Sequence, residues 1–218
     1  MITTVQNTVY KPALDNFLHH CHIKTYPAKT TLIRIGENNQ KLYFIMDGSV
    51  TVGTEDEEDG RELIYAYLNA GEFIGEVGIF NETEFRSVNI KTRCRCQLAE
   101  ISHARLKQLL KTDLSEYAYD LLFMVGKQLS ARLLMTSRNF RDLAFMDTEG
   151  RIARTLLDLC KEPSAMTHPD GMQIQVTRQE LSRIVGCSRE VAGRVLKELE
   201  IKKMINAHGK TIVVFNAR

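Results

Sequence analysis

With 218 residues and a mass of 24.9 kDa, the chain is long enough for one large domain or two modest ones, each with its own core. Hydrophobic residues make up 44% and charged residues 26%, which excludes a disordered or fibrous chain. The net charge of +2 identifies no partner by itself.

No apolar run approaches the roughly 18 residues that a membrane span requires. The start, Met1 to His20, has no basic segment followed by an apolar stretch and does not read as a secretory signal. Five scattered cysteines, Cys21, Cys94, Cys96, Cys160 and Cys187, form no disulfide framework, so a reducing cytoplasm is the expected compartment. Charge is uneven along the chain. Up to Phe145 there are 17 basic and 18 acidic residues; from Met146 onward there are 12 and 9, a balance of +3. That points to the last third for a polyanion partner, although so small an excess does not decide the matter.

The first hundred residues read as short strands: Thr31–Ile35, Leu42–Met46, Ser49–Val52 and Leu63–Leu68, punctuated by Gly36-Glu37-Asn38-Asn39, Asp47-Gly48, Asp59-Gly60 and Asn69-Ala70-Gly71. This spacing suggests a sandwich or a rolled barrel, with Asp56 to Gly60 as an acidic, solvated hairpin tip. Next comes the glycine-dense stretch Gly71-Glu72-Phe73-Ile74-Gly75-Glu76-Val77-Gly78, followed by Arg86-Ser87. Glycines let backbone N–H groups close on an anion, and arginine adds a fixed charge with a fork of donors. Each glycine alone is an ordinary turn. The set Gly75, Glu76, Arg86 and Ser87 reads as a phosphate site, with Glu76 accepting from a ribose hydroxyl and steadying Arg86. Cys94-Arg95-Cys96 is expected on one face of a strand as small buried residues rather than a metal pair.

From Asp113 to Leu143 there is no proline and one glycine. Ala118, Leu122, Val125, Leu129, Arg132, Thr136, Phe140 and Leu143 follow steps of three and four, the stripe of one helix of about 30 residues. So long a helix calls for a partner of similar length, most economically a second copy. Its polar positions, Arg132 and Thr136, either interrupt the seam to set register or face a ligand held there. Asp147 then caps a new helix with apolar face Ile152, Leu156, Leu157 and Leu159, and the domain boundary is placed here. Pro163 to Gly171 reads as a loop and Met172–Val176 as a short strand.

Thr177-Arg178-Gln179-Glu180 is a capping box. The helix it opens meets Gly186, and Ser188 caps a second helix. Leu181, Ser182, Val185, Gly186, Cys187, Ala192 and Val195 fill the demanding positions of a helix-turn-helix. On the outer face of the second helix lie Arg189, Glu190, Gly193, Arg194 and Lys197, as in recognition helices that read the major groove. Met204 to Phe215 reads as a hairpin turning at Gly209, which makes a winged helix with His208 and Lys210 at its tip near phosphates.

These motifs resemble the CRP/FNR family of bacterial regulators, over nearly the whole chain from about Leu14. They comprise Gly75-Glu76 with Arg86-Ser87, then Asp147…Gly150-Arg151-Ile152-Ala153, Ala165–Ile174 and Val185-Gly186-Cys187-Ser188-Arg189-Glu190. The resemblance implies an α+β chain with three parts: a cyclic-nucleotide-binding β-roll (1–112), a dimerisation helix and hinge (113–146) and a winged helix-turn-helix (147–218). It implies a cyclic-AMP-gated homodimer, mainly an activator of transcription, with no enzymatic activity and no metal. Gly75, Glu76, Arg86 and Ser87 would hold the cyclic phosphate and ribose. Arg132 would reach the phosphate, Thr136 the adenine from its own subunit and Ser137 from the other. Arg189, Glu190 and Arg194 would read a TGTGA-like half-site, and Thr177, Arg178, Gln179, Ser188, Lys197 and His208 would make mainly phosphate contacts. Ala165 to Gln173 would touch the RNA polymerase α subunit, with His22, Lys24 and Arg105 a second patch. The tip 55–59 lacks the lysine that relatives turn toward sigma factor.

Other classes fit less well. Iron–sulfur sensing needs a cysteine cluster near the start, where only Cys21 stands. His19-His20-Cys21-His22 has no complementary carboxylates and reads as surface. A metal enzyme on a rolled β fold needs histidines inside the barrel, and none lies between His22 and His103. A regulatory subunit of a kinase or channel has no use for a winged helix.

Overall fold

The computed structural model of the protein describes residues 10–38, 40–56, 60–81 and 85–217. The expected acidic tip falls partly outside them. The described residues divide into two compact units, one built from the residues up to Thr54 with Tyr65–Thr136, the other from Glu55–Ile64 with Ser137 onward. The division falls within the long helix.

The first unit is built on two antiparallel four-stranded sheets. The strands are β1 (His22–Tyr26), β2 (Thr31–Ile33), β3 (Lys41–Asp47), β4 (Ser49–Glu55), β5 (Glu62–Asn69), β6 (Phe73–Ile74), β7 (Asn89–Thr92) and β8 (Cys96–Ser102). Their orders are β1-β8-β3-β6 and β2-β7-β4-β5. Strand β3 explains the arrangement. Leu42 and Phe44 enter one core cluster with Phe17, Phe73 and Leu109, whereas Tyr43 and Ile45 enter another with Leu32, Val50 and Ile74. Alternate side chains leave opposite faces of a strand, so β3 is covered on both sides. This is why it reads as an unbroken apolar run. Each such side chain contributes about 1.5–3 kcal/mol through burial.

Helices α1 (Lys11–His19), α2 (Val77–Phe80) and α3 (His103–Leu109) accompany the sheets. The long helix α4 runs from Ala118 to Phe145. It starts later than Asp113 because Ser115–Tyr117 forms a 3₁₀ turn first. In the first core α4 buries Leu121 and Val125 with Leu129 packed beside them, so two residues of the expected stripe, Val125 and Leu129, pack on the chain's own core, while Leu122 is exposed. Cys94 departs from expectation: it precedes β8 in a bend and is exposed, and only Cys96 is buried.

In the second unit Asp147 caps α5 (Thr148–Leu159), its side chain accepting from Gly150 N at 2.8 Å. Then follow β9 (Met166–His168), β10 (Gly171–Gln175), α6 (Arg178–Val185), α7 (Arg189–Ile201), β11 (Ile205–His208) and β12 (Thr211–Phe215), with sheet order β11-β12-β10-β9. The expected loop 163–171 contains β9. Pro169-Asp170 makes a tight turn that lets His168 pair with Gly171. The core gathers Ile152, Leu156, Ile174, Leu181, Leu199 and Ile212.

Candidate nucleotide site and nucleic-acid interface

Gly75 lies between β6 and α2 with φ 85°, a left-handed conformation. A Cβ there would stand 2.5 Å from the Lys41 carbonyl oxygen and 3.2 Å from Arg86 Nη2, so no side chain fits. Arg86 is fixed first through its backbone: its N–H donates to Glu37 O at 3.2 Å and its carbonyl accepts from Gly36 N at 2.9 Å. Its guanidinium donates to Lys41 O (3.0 Å) and to Gly75 O (3.4 Å). Burial disfavours its positive charge, a cost that Tyr43 and Glu76 partly offset. Ser87 follows with an exposed side chain.

Glu76 is buried, and its carboxylate is paired with Arg132 of α4. Arg86 makes its hydrogen bonds to the two carbonyls, and Glu76 favours its charge through the field. Arg132 also donates to Phe73 O at 2.8 Å and stands 3.7 Å from Glu72. Nε of Arg86 and Nε of Arg132 are buried without a hydrogen-bond partner among the described residues. Two guanidinium groups with spare donors, beside a turn that excludes a Cβ, fit a phosphodiester. Thr136, one turn beyond Arg132, is exposed, as is Ser137.

Two residues of this region were not singled out in the sequence. Gln128, one turn before Arg132, bonds both polar groups of Phe73: it accepts from Phe73 N at 2.7 Å and donates to Phe73 O at 2.9 Å. The signal was the polar series Gln128, Arg132, Thr136 at steps of four. His103 opens α3, and its Nε2 lies 3.1 Å from Gly75 O.

The helix-turn-helix is formed as the pattern requires. Thr177 caps α6 by accepting from Glu180 N at 3.1 Å, and Ser188 caps α7 by accepting from Val191 N at 3.2 Å. Gly186 ends α6 at φ 72°, ψ 48°, the left-handed cap. Leu181, Ser182, Val185, Ala192 and Val195 are buried and Cys187 is half-buried. Thr177, Arg178, Gln179, Ser188, Arg189, Glu190, Arg194, Lys197 and His208 are all exposed. Gly193 lies beside Arg178, whose Cδ would stand in ordinary contact, 3.5 Å, from a Cβ at that position. Amide and Ser188 hydroxyl hydrogen bonds at the start of α7 hold the Glu190 carboxyl below its ordinary value, keeping it an acceptor. His208 pairs with Thr211 at the end of the β11–β12 wing, and Val176 N donates to Lys210 O at 2.8 Å. Elsewhere, Lys24 and Lys41 both pair with the buried Glu100, and Arg105 donates to Gln108.

The architecture defines a class of protein: a β-roll with a glycine turn flanked by two arginines, joined through a long helix to a winged helix-turn-helix. Residues 23–113 match the cyclic nucleotide-binding domain and residues 150–218 the Crp-like helix-turn-helix domain. The chain is 51% identical over 207 residues to the cAMP-activated global transcriptional regulator CRP of Haemophilus influenzae, covering 95% of this chain and 90% of that protein. It is 50% identical over 208 residues to the cAMP-activated global transcriptional regulator Vfr of Pseudomonas aeruginosa, covering 94% of each. Among solved structures, the c-di-GMP-responsive global regulator CLP of Xanthomonas campestris superposes with a TM-score of 0.89 at 48% identity, over 94% of this chain and 99% of that one. The chain belongs to the CRP/FNR family of transcription regulators. Among the described residues, no helix is long and apolar enough to cross a membrane.

Proposed function

We propose that the protein is a cyclic-AMP-gated, DNA-binding transcription regulator of the bacterial cytoplasm, mainly an activator and not an enzyme, working as a homodimer on palindromic TGTGA-like sites. Cyclic AMP supplies one negative charge and a purine face. Gly75, Glu76, Arg86, Ser87 and Arg132 hold the cyclic phosphate and ribose. Thr136 meets the adenine from the same subunit and Ser137 from the partner copy. Arg189, Glu190 and Arg194 read base edges, while Thr177, Arg178, Gln179, Ser188, Lys197 and His208 position the protein on phosphates. The parts are the roll (1–112), the dimerisation helix and hinge (113–146) and the winged helix-turn-helix (147–218). The exposed β9–β10 hairpin within Ala165–Gln173 is the surface for the RNA polymerase α subunit, with His22, Lys24 and Arg105 as a second polymerase patch.

The observation that carries this reading is the pair Arg86 and Arg132. Each has a buried Nε without a partner among the described residues, and they flank a turn closed to any side chain. Their relatives' names, cAMP-activated in two cases, fit a nucleotide as the occupant. Fluorescence anisotropy on a palindromic TGTGA duplex, with and without cyclic AMP, tests it. Affinity is expected to rise with the nucleotide; equal affinity in both conditions rejects gating. Calorimetry against cyclic AMP, cyclic GMP and cyclic di-GMP tests the ligand, and binding of cyclic di-GMP alone would replace cyclic AMP in this account.

A further inference from the structure

His103 stands directly behind the anion cassette. Its ring is buried, and its Nε2 lies 3.1 Å from the Gly75 carbonyl oxygen. A carbonyl has no proton to give, so Nε2 carries the hydrogen and donates. The ring also lies against α2 so closely that a Cβ at Gly78 would overlap it. The backbone N–H of His103 donates to Gln40 O at 2.8 Å, which anchors the residue beside the β3 edge that carries Lys41. Arg86 uses the same acceptors, Gly75 O and Lys41 O. Imidazole and guanidinium therefore share the carbonyls that shape the turn.

The charges around the ring set its protonation. Burial chiefly, then the Arg86 cation and Lys107 on its own helix, hold His103 below the ordinary histidine value. The Gly75 and Lys41 carbonyls pull the other way. Glu76 on the cassette side is committed to Arg132, and the Lys41 ammonium to Glu100. With no anion present the ring is neutral near pH 7, and the charge that acts on it most is Arg86.

We propose that His103 is a positioning residue of the nucleotide site that holds the Gly75 peptide in place and takes up a proton when an anionic phosphate engages Arg86. This rests on the nucleotide reading of the cassette. An anion against Arg86 cancels the repulsion that kept the ring neutral. As Arg86 turns donors to the phosphate it releases Gly75 O and Lys41 O, the two acceptors that favour the charged ring. The proton comes from solvent, and no bond other than N–H is made. The sign follows from linkage: a group whose value rises on binding makes binding tighter as pH falls. The window runs downward from about the ordinary histidine value near 6.5.

Calorimetry of the full-length protein with cyclic AMP, at about pH 7.5 and about pH 5.5 in buffers of different ionisation enthalpy, reads both affinity and protons exchanged. Wild type is expected to bind several-fold tighter at the lower pH and to take up a fraction of a proton. His103→Gln keeps a donor for Gly75 O but cannot titrate, so its affinity should not change with pH and no proton should be taken up. His103→Phe loses the donor too and should bind more weakly than His103→Gln at both values. In the intact wild-type protein, the His103 ring proton signal should titrate at higher pH with nucleotide than without. Binding by wild type without proton uptake, or the same pH slope in His103→Gln, overturns the inference. Failure of wild type to bind cyclic AMP at either pH rejects the nucleotide reading instead.

Discussion

Arg132 joins three neighbours through one guanidinium: the Glu76 carboxylate, the Phe73 carbonyl and, more distantly, Glu72. Gln128 fixes the same strand segment from one turn earlier, so α4 is stitched to β6 by side chain to backbone bonds. Replacing Gln128 with alanine leaves the buried Phe73 N–H without its acceptor, which costs about 1–3 kcal/mol. Thermal unfolding should show the loss, and cyclic-AMP affinity should fall with it because Arg132 shares the Phe73 carbonyl. A second comparison separates the two sites. Arg86→Ala removes a charge-assisted contact and should weaken cyclic AMP by about 1.5–3 kcal/mol in calorimetry. Arg194→Ala should leave that affinity intact while relaxing base preference by about 1–3 kcal/mol at one position of the half-site. Loss of nucleotide binding in Arg194→Ala would show that the sites are not separate.

At the level of elements, what the sequence revealed depended on distance along the chain. The helix-turn-helix was legible because each of its determinants is local: Thr177 reaches Glu180, Ser188 reaches Val191, and Gly186 takes the left-handed cap itself. The cassette was legible by residue type but not by partner. Glu76 pairs with a residue 56 positions away, and Gln128 and His103 bond backbone atoms 55 and 28 positions away. A backbone carbonyl leaves no trace in residue identity, so neither Gln128 nor His103 announced itself. Strands β1 and β7 also escaped notice, and of β8 only the first residue, Cys96, was placed on a strand. β1 is exposed along nearly its whole length, β7 is only four residues, and β8 follows a bend. The cap at Asp147 makes a testable case for local determinants. Its carboxylate accepts from Gly150 N, and Asp147→Ala should destabilise α5 by about 0.5–2 kcal/mol. Denaturant unfolding should show a lower midpoint with an unchanged slope; an unchanged midpoint would mean that the core around Ile152 and Leu156 holds the helix without its cap.

For the whole molecule, the exposed length of α4 is the surface that matters most. On and beside the expected stripe, Leu122, Leu133, Phe140 and Leu143 are 38%, 67%, 72% and 60% exposed. A single chain gains nothing from displaying so many large apolar groups on one helix, whereas a second copy would bury them. The homodimer proposed above uses this face, and it also brings the partner copy's Ser137 to the adenine. Phe140→Glu places a charge in that seam. Sedimentation should then find a monomer where wild type is a dimer. On a full palindrome the variant should lose the gain from engaging two half-sites at once, about 10²–10⁴ in affinity. On a single half-site its affinity should match that of wild type, because Arg189, Glu190 and Arg194 are untouched. Cyclic-AMP affinity should fall as well, since half of the adenine contact would be missing. A dimer that persists in Phe140→Glu, or a monomer that still binds the palindrome at full strength, would show that this helix face does not set the pairing of the two reading heads.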